Sequence, residues 1–226
     1  MLFRSRSPLG QRAVRPMKNG PCFFLCLFGA LAFSWAGLAV ASHRQLSDLA
    51  PYYDAAEGKA FPEPMPGVAT RGQLVYQDLG CASCHTQQVR RADLGNDIDR
   101  KWGTRQSWAR DYIYQGRPQL GSVRVGPDLA NIGARLKSAG EVYQLLYKGT
   151  ATMPAYTFLF EESPAGAATA AIAVGTANGR QVVPTRRAMD LAAYLLALNS
   201  PHAYGPESAH NAIAAKPEHG AEEHKK

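Results

Sequence analysis

Gly80-Cys81-Ala82-Ser83-Cys84-His85-Thr86 is the stretch on which the fold of this chain turns. Two thiols separated by two residues, with an imidazole directly after them, suit three chemistries: thiol–disulfide exchange, half of a zinc site, or attachment of haem c. A thioredoxin-like exchange places the motif at the start of a helix after a strand in a βαβ pattern, whereas here a helical pattern leads into it. A structural zinc site wants a second Cys or His pair at short spacing, and the remaining cysteines, Cys22 and Cys26, stand inside an apolar run. The haem c reading survives, with both thiols adding across the vinyl groups and His85 ligating iron. That reading needs a second axial ligand and a pocket, and both are sought below.

Met153 is the candidate second ligand. It stands in Gly149-Thr150-Ala151-Thr152-Met153-Pro154-Ala155-Tyr156, a loop stiffened by Pro154. Met189 is the rival, at a position spaced for the buried face of a helix, where methionine is common core filler. Gly126-Pro127-Asp128-Leu129 is a proline-led turn able to offer a backbone carbonyl to His85 Nδ1–H, which fixes the tautomer of a ligating imidazole. Gly72, Tyr76 and Gly80 on one helix face match Leu191, Tyr194 and Leu195 on another, glycine permitting a close crossing.

Upstream, Arg4, Arg6, Arg12, Arg15 and Lys18 precede any acid, so of a net charge of +7 the arm carries five positives. The remainder is nearly neutral, which argues against a nucleic-acid partner, whose contacts need a basic patch on the folded domain. Pro21–Ala41 (PCFFLCLFGALAFSWAGLAVA) has no charge over twenty-one residues, enough to span a hydrocarbon core of about 30 Å at about 1.5 Å per residue. With the basic arm before it, the positive-inside rule keeps residues 1–20 in the cytoplasm and exports the rest. A cleaved signal peptide ending at Ala39-Val40-Ala41 is the other reading. Cys22 and Cys26, one helical turn apart among Phe and Leu, read as small membrane-packing residues.

Residues 42–67 hold four prolines and no period and are expected to form an extended tether. Helices are expected over Thr70–Leu79, near Ser107–Gln115, over Ala139–Lys148 and over Thr185–Asn199, the last with Thr185 as its cap. Ser138 and Glu141 form a capping box ahead of the third, and Gly149 suits its left-handed end. Asn178-Gly179 is a two-residue hairpin turn inside an Ala-rich surface excursion, 161–183. Residues 201–226 have low hydrophobicity and are expected to be disordered; their four histidines show no preformed ligand geometry.

The order of helix, Cys-x-x-Cys-His, Gly-Pro-Asp-Leu, capped helix, Met-Pro-x-Tyr and Leu-x-x-Tyr-Leu helix resembles the class I cytochrome c fold over residues 68–200. More narrowly, GCASCHTQQVR, RVGPDLANIGAR, TMPAY and DLAAYLLALN behind an N-terminal apolar segment resemble the membrane-anchored monohaem subunit II of cbb3-type haem-copper oxidases. The resemblance implies an all-α domain, three to five helices around one covalent haem c, with an N-terminal transmembrane helix. It implies Cys81 and Cys84 as thioether residues, His85 and Met153 as axial ligands, and Pro127 and Leu129 in the pocket. Gln87 and Arg90 match positions after the haem motif, whereas Gln88 stands where the family often has methionine.

The implied partners are a haem-copper catalytic subunit and a dihaem cytochrome c subunit in a bacterial inner membrane, with the haem domain periplasmic. The implied work is electron relay with no small-molecule substrate and no catalytic side chain. A free-standing anchored shuttle, a haem-based sensor and a thiol oxidoreductase are the alternatives. Ten basic residues against five acids between Arg90 and Lys137 suggest partners for haem propionates, with Arg90, Trp102 and Arg124 as candidates.

Overall fold

The computed structural model describes residues 19–47, 49–164, 166, 172–200 and 202–204, in two units that divide after Ser47. The first unit is one helix, α1 (Gly20–Ser47), with a π-helical segment at Ala36–Val40. Its Phe, Leu and Trp side chains are exposed on every side, as on a helix whose solvent is apolar. Among the described residues it is the helix long and apolar enough to cross a membrane, and it fits a single-pass anchor. It continues past Ala41, where a tether was expected to begin, because Ser42-His43-Arg44-Gln45-Leu46 contains neither Gly nor Pro to stop it.

The second unit opens with a hairpin, β1 (Tyr52–Asp54) and β2 (Lys59–Phe61), paired antiparallel with Tyr52 opposite Phe61. Asp54 Oδ1 accepts the Ala56 N–H at 2.7 Å and so builds the turn. Three-residue strands are too short to display alternation, which is why 42–67 looked extended and unpaired.

The helices of this unit are α2 (Gly67–Asp78), the single turn α3 (Ile132–Arg135), α4 (Ala139–Lys148) and α5 (Arg186–Ala197). α2 crosses α5 at Gly72, where a Cβ would stand 2.7 Å from Tyr194 Cβ and inside the Asp190 carbonyl. One turn on, Tyr76 and Tyr194 meet edge to face with ring centroids 5.4 Å apart. α4 has the expected punctuation: Ser138 Oγ accepts the Glu141 N–H at 3.4 Å and Gly149 takes φ 66°. The return bond of the box goes from Lys137 N–H to Glu141 Oε2, one residue earlier than the motif expects. Thr185 does not cap α5 through its side chain; its Oγ1 donates backwards to the Leu159 carbonyl at 2.8 Å.

The unit is mainly helical but not all-α. A second sheet, in the order β3-β5-β4, is built from β3 (Phe160–Ser163), β4 (Gly175–Ala177) and β5 (Arg180–Pro184). Asn178-Gly179 joins β4 to β5 with φ 52° and 76°, as a primed turn demands. The excursion is therefore not all surface: Val174 and Val182 are buried in the core, and Gln144 Nε2 on α4 donates to the Val174 carbonyl at 3.0 Å. Residues 107–115 form only a 3-10 turn, Ala109–Tyr112. The Asp111 carboxylate there accepts from Trp108 N–H and from Arg105, local bonds that compete with a helix. Apart from His202–Tyr204, the expected disordered tail lies outside the described residues.

Candidate functional site

α2 delivers the chain to the Cys-x-x-Cys-His motif through Leu79 and the left-handed Gly80, φ 67°. Cys81–Ser83 form a 3-10 turn whose first carbonyl accepts from both Cys84 N–H (3.2 Å) and His85 N–H (3.0 Å). The two thiols and the imidazole thus share one turn of backbone. Both cysteines are free thiols; Cys84 is exposed, while Cys81 is half-buried against the core. Burial pushes the Cys81 thiol up to about 11. That direction is opposite to the lowered pKa a thiol-exchange nucleophile needs, so Cys81 is poorly suited to that role.

His85 Nδ1 lies 2.8 Å from the Pro127 carbonyl oxygen. A carbonyl only accepts, so Nδ1 carries the proton and donates, leaving the Nε2 lone pair for a ligand. Gly126 makes this contact possible, since a Cβ there would overlap the ring, 2.8 Å from Nδ1. The Cys84 carbonyl accepts from Val125 N–H and Gly126 N–H, both at 3.0 Å, and so ties the glycine-proline loop to the motif itself.

Asp128, the next residue, was not expected to matter and is fully buried. Its Oδ2 accepts from Thr86 Oγ1 (2.6 Å) and Gln88 N–H (2.8 Å), and its Oδ1 from Ala130 N–H (2.8 Å). One carboxylate therefore clamps the segment leaving His85 to the loop that holds His85. Leu129 closes the same junction: its N–H donates to the Thr86 carbonyl at 2.7 Å while its side chain enters the core. Gln87, also buried, accepts from Tyr194 Oη on α5 at 2.9 Å through Oε1, and its carbonyl accepts from Tyr112 Oη at 2.7 Å. An Asp after Gly-Pro is the one signal that could have found this clamp, because such residues build local side-chain-to-backbone turns.

Met153 sits in a tight loop after α4. Thr150 N–H donates to the Met153 carbonyl (2.8 Å) and Met153 N–H to Thr150 Oγ1 (3.0 Å). Its side chain is half-buried and packs on the same core cluster as Cys81 and Ala82. Tyr156 brings the loop to the motif: its phenol is raised above its ordinary value by burial first and then by the Cys81 and Cys84 sulfurs beside it. Met189, on α5, is packed against the core.

The three propionate candidates are placed differently. Arg124 has its guanidinium spent within the protein: Nη1 and Nη2 donate to the Asp97 carboxylate at 2.5 and 2.7 Å, Nε to Thr86 Oγ1 at 2.7 Å and Nη2 to the Gln88 carbonyl at 2.7 Å. Two guanidinium groups approach the Trp102 ring, Arg100 at 4.9 Å and Arg124 at 5.4 Å from its centroid. Arg90 is exposed at the edge of this network, its N–H donating to Asp97 Oδ2 at 2.8 Å. Asp97 is the organising residue here, and nothing in its sequence neighbourhood distinguishes it from other loop acids.

Two free thiols and a tautomer-fixed imidazole on one turn, with a thioether loop on the same core, form a donor set that fits a haem. Apolar Val123 and Val125, on the loop bonded to Cys84, remain exposed beside it. None of the curated proteins matches the chain. Residues 51–193, more than half of the chain and including every residue of this donor set, match the family described as cytochrome c oxidase, mono-heme subunit/FixO, and the chain belongs to that family of haem-bearing electron-transfer subunits.

Proposed function

We propose that this chain is the monohaem cytochrome c subunit of a cbb3-type oxidase. Its haem is bound covalently through Cys81 and Cys84 and ligated by His85 Nε2 and Met153 Sδ in a cytochrome c fold. The observation that carries this reading is the 2.8 Å bond from His85 Nδ1 to the Pro127 carbonyl beside two free thiols. It leaves one nitrogen with a lone pair and keeps the ring from turning. The bound group supplies a one-electron iron couple, and the protein's part is ligation, orientation and exclusion of water.

Each residue's task follows from its surroundings. Pro127 holds the proton on Nδ1. Asp128 holds Thr86 and Gln88, and through them the backbone on which His85 stands. Tyr156, beside the Cys81 and Cys84 sulfurs, and the core against which Cys81 packs would shield the thioether bonds from water. A neutral His/Met pair favours the reduced iron and raises the potential. Arg90 and Trp102 would remain the candidates to meet the haem propionates, whereas Arg124 serves the Asp97 network.

Under this reading α1 is a retained anchor with its basic arm in the cytoplasm and the haem domain in the periplasm. The partners are the haem-copper catalytic subunit and a dihaem cytochrome c subunit. The intact mass of the purified protein tests the attachment, with the chain plus one haem expected; the apoprotein mass refutes it. Isolation of the native membrane complex tests the partners, with a haem-copper subunit expected to co-purify and a lone cytochrome refuting the assignment.

A further inference from the structure

We propose that Asp54, Glu57 and His202 form a site for a divalent transition-metal cation of the zinc type, separate from the haem donor set. His202 follows α5, and its side chain is only 7% exposed. Its ring stacks on Phe61 of β2 with centroids 4.0 Å apart and planes 3° from parallel, and Tyr204 meets its edge at 5.0 Å. Its carbonyl accepts from Arg105 Nε at 2.6 Å, and Arg105 is itself held by both Asp111 oxygens, at 2.9 and 2.8 Å. Packing thus fixes the orientation of the imidazole before any ligand arrives.

Fixed as it is, the ring makes no hydrogen bond among the described residues. Nε2 is buried without a partner. Nδ1 faces two carboxylates at 3.6 Å (Glu57 Oε1) and 3.9 Å (Asp54 Oδ2), beyond hydrogen-bond range. A protonated histidine in a direct ion pair would draw its carboxylate to about 2.7–2.9 Å. With bonds of about 2.0–2.2 Å, tetrahedral ligands stand roughly 3.3–3.6 Å apart, so Glu57 Oε1 at 3.6 Å is at the edge of that spacing and Asp54 Oδ2 at 3.9 Å must move in slightly to share an ion. All three ligand atoms lie within 4.8 Å of one another.

Asp54 is also pre-aimed, because its Oδ1 accepts from Ala56 and Glu57 N–H (2.7 and 3.3 Å) and leaves Oδ2 for the site. Glu57 is 56% exposed and free to close the remaining gap. Two carboxylates neutralise a dication, and the imidazole nitrogen selects zinc over calcium, which takes oxygen ligands. Bound there, the ion cross-links the hairpin ahead of α2 to the segment after α5.

The test is titration of zinc sulfate into the chelator-dialysed, full-length haem protein, with bound metal measured by calorimetry and by elemental analysis. His210, His219 and His224 are present in every variant, so the difference between variants isolates this site. Asp54→Asn/Glu57→Gln and His202→Gln are each expected to lose one zinc equivalent relative to the parent. Glu57→Gln alone, an exposed change that leaves the fold intact, is expected to weaken that equivalent at least about tenfold. Zinc is expected to raise the melting temperature of the parent and not of the double variant. Unchanged stoichiometry and affinity across all variants overturn the proposal. So does a melting temperature that follows pH through the histidine range and ignores zinc, which would make the cluster an ion pair.

Discussion

Gly126 lies against the imidazole of His85 so closely that a Cβ on it would stand 2.8 Å from Nδ1 and 3.0 Å from Nε2. No side chain fits there while the ring keeps its bond to Pro127. Gly126→Ala is therefore expected to turn the ring off the Pro127 carbonyl at a cost of about 1–3 kcal/mol of overpacking. In the reduced protein, carbon monoxide is expected to bind the variant and not the parent, with the covalent mass unchanged. A parent-like spectrum would show that the ring has room the geometry denies it.

Met153 and Met189 separate by position. Met153→Ala is expected to abolish the methionine charge-transfer band while leaving haem attached and the domain folded. Met189→Ala is expected to keep that band and lower stability by about 2 kcal/mol, the low end for a core methionine because the residue is half-buried. Spectra paired with denaturant curves on both variants check the assignment, and loss of the band in the second would reverse it.

At the α2–α5 crossing, Gly72→Ala drives a methyl into the Asp190 carbonyl and is expected to destabilise by about 1–3 kcal/mol. Gly67, at the start of the same helix, has no atom within 4 Å of its would-be Cβ. Gly67→Ala is expected to stabilise by about 0.5–1 kcal/mol, through propensity alone. Urea midpoints of the pair, opposite in sign, measure how tightly the helices touch.

Asp97 gives the acid limb of stability. Burial pushes its carboxyl up, but the Arg124 hydrogen bonds, the Arg90 N–H and the Arg124 charge outweigh this and hold it below the ordinary value. The unfolded chain then binds protons more readily than the fold. The pair's stabilisation is present above about pH 4, the ordinary carboxyl range, and is lost as pH falls through the lower folded value. Asp97→Asn leaves Arg124 unpaired at a nearly buried site and is expected to cost about 3–5 kcal/mol at neutral pH. Its stability should also fall less steeply below pH 4 than the parent's, as pH-dependent denaturation will show.

Short-range signals made part of the molecule legible in advance. The Ser138 cap and Gly149 bracket α4 at Ala139–Lys148 because both act within one turn of backbone. The Gly72 crossing and the His85–Pro127 bond could be anticipated because a missing side chain and a proline turn leave few alternatives. What stayed hidden is long-range. β1 and β3 are too short to announce a period. Val182 reaches the core because a helix lies beneath it, not because of its neighbours. Asp97 and Asp128 resemble other loop acids until folding brings Arg124 and Thr86 to them. Arg124 looked like a partner for an external anion for the same reason: its charge is visible in sequence, and the buried acid that consumes it is not.

The clamp at Asp128 has a kinetic meaning. Three short hydrogen bonds to one buried carboxylate, from Thr86, Gln88 and Ala130, hold the backbone beside His85 by protein contacts alone. If His85 ligates iron as proposed, a ligand anchored this way is expected to shift little when the charge on the metal changes by one unit. Small nuclear displacement between oxidation states means a low reorganisation barrier, the same preorganisation that spares an enzyme the work of turning its dipoles. Asp128→Asn, which loosens the clamp without touching a ligand, should therefore slow electron self-exchange more than it moves the potential.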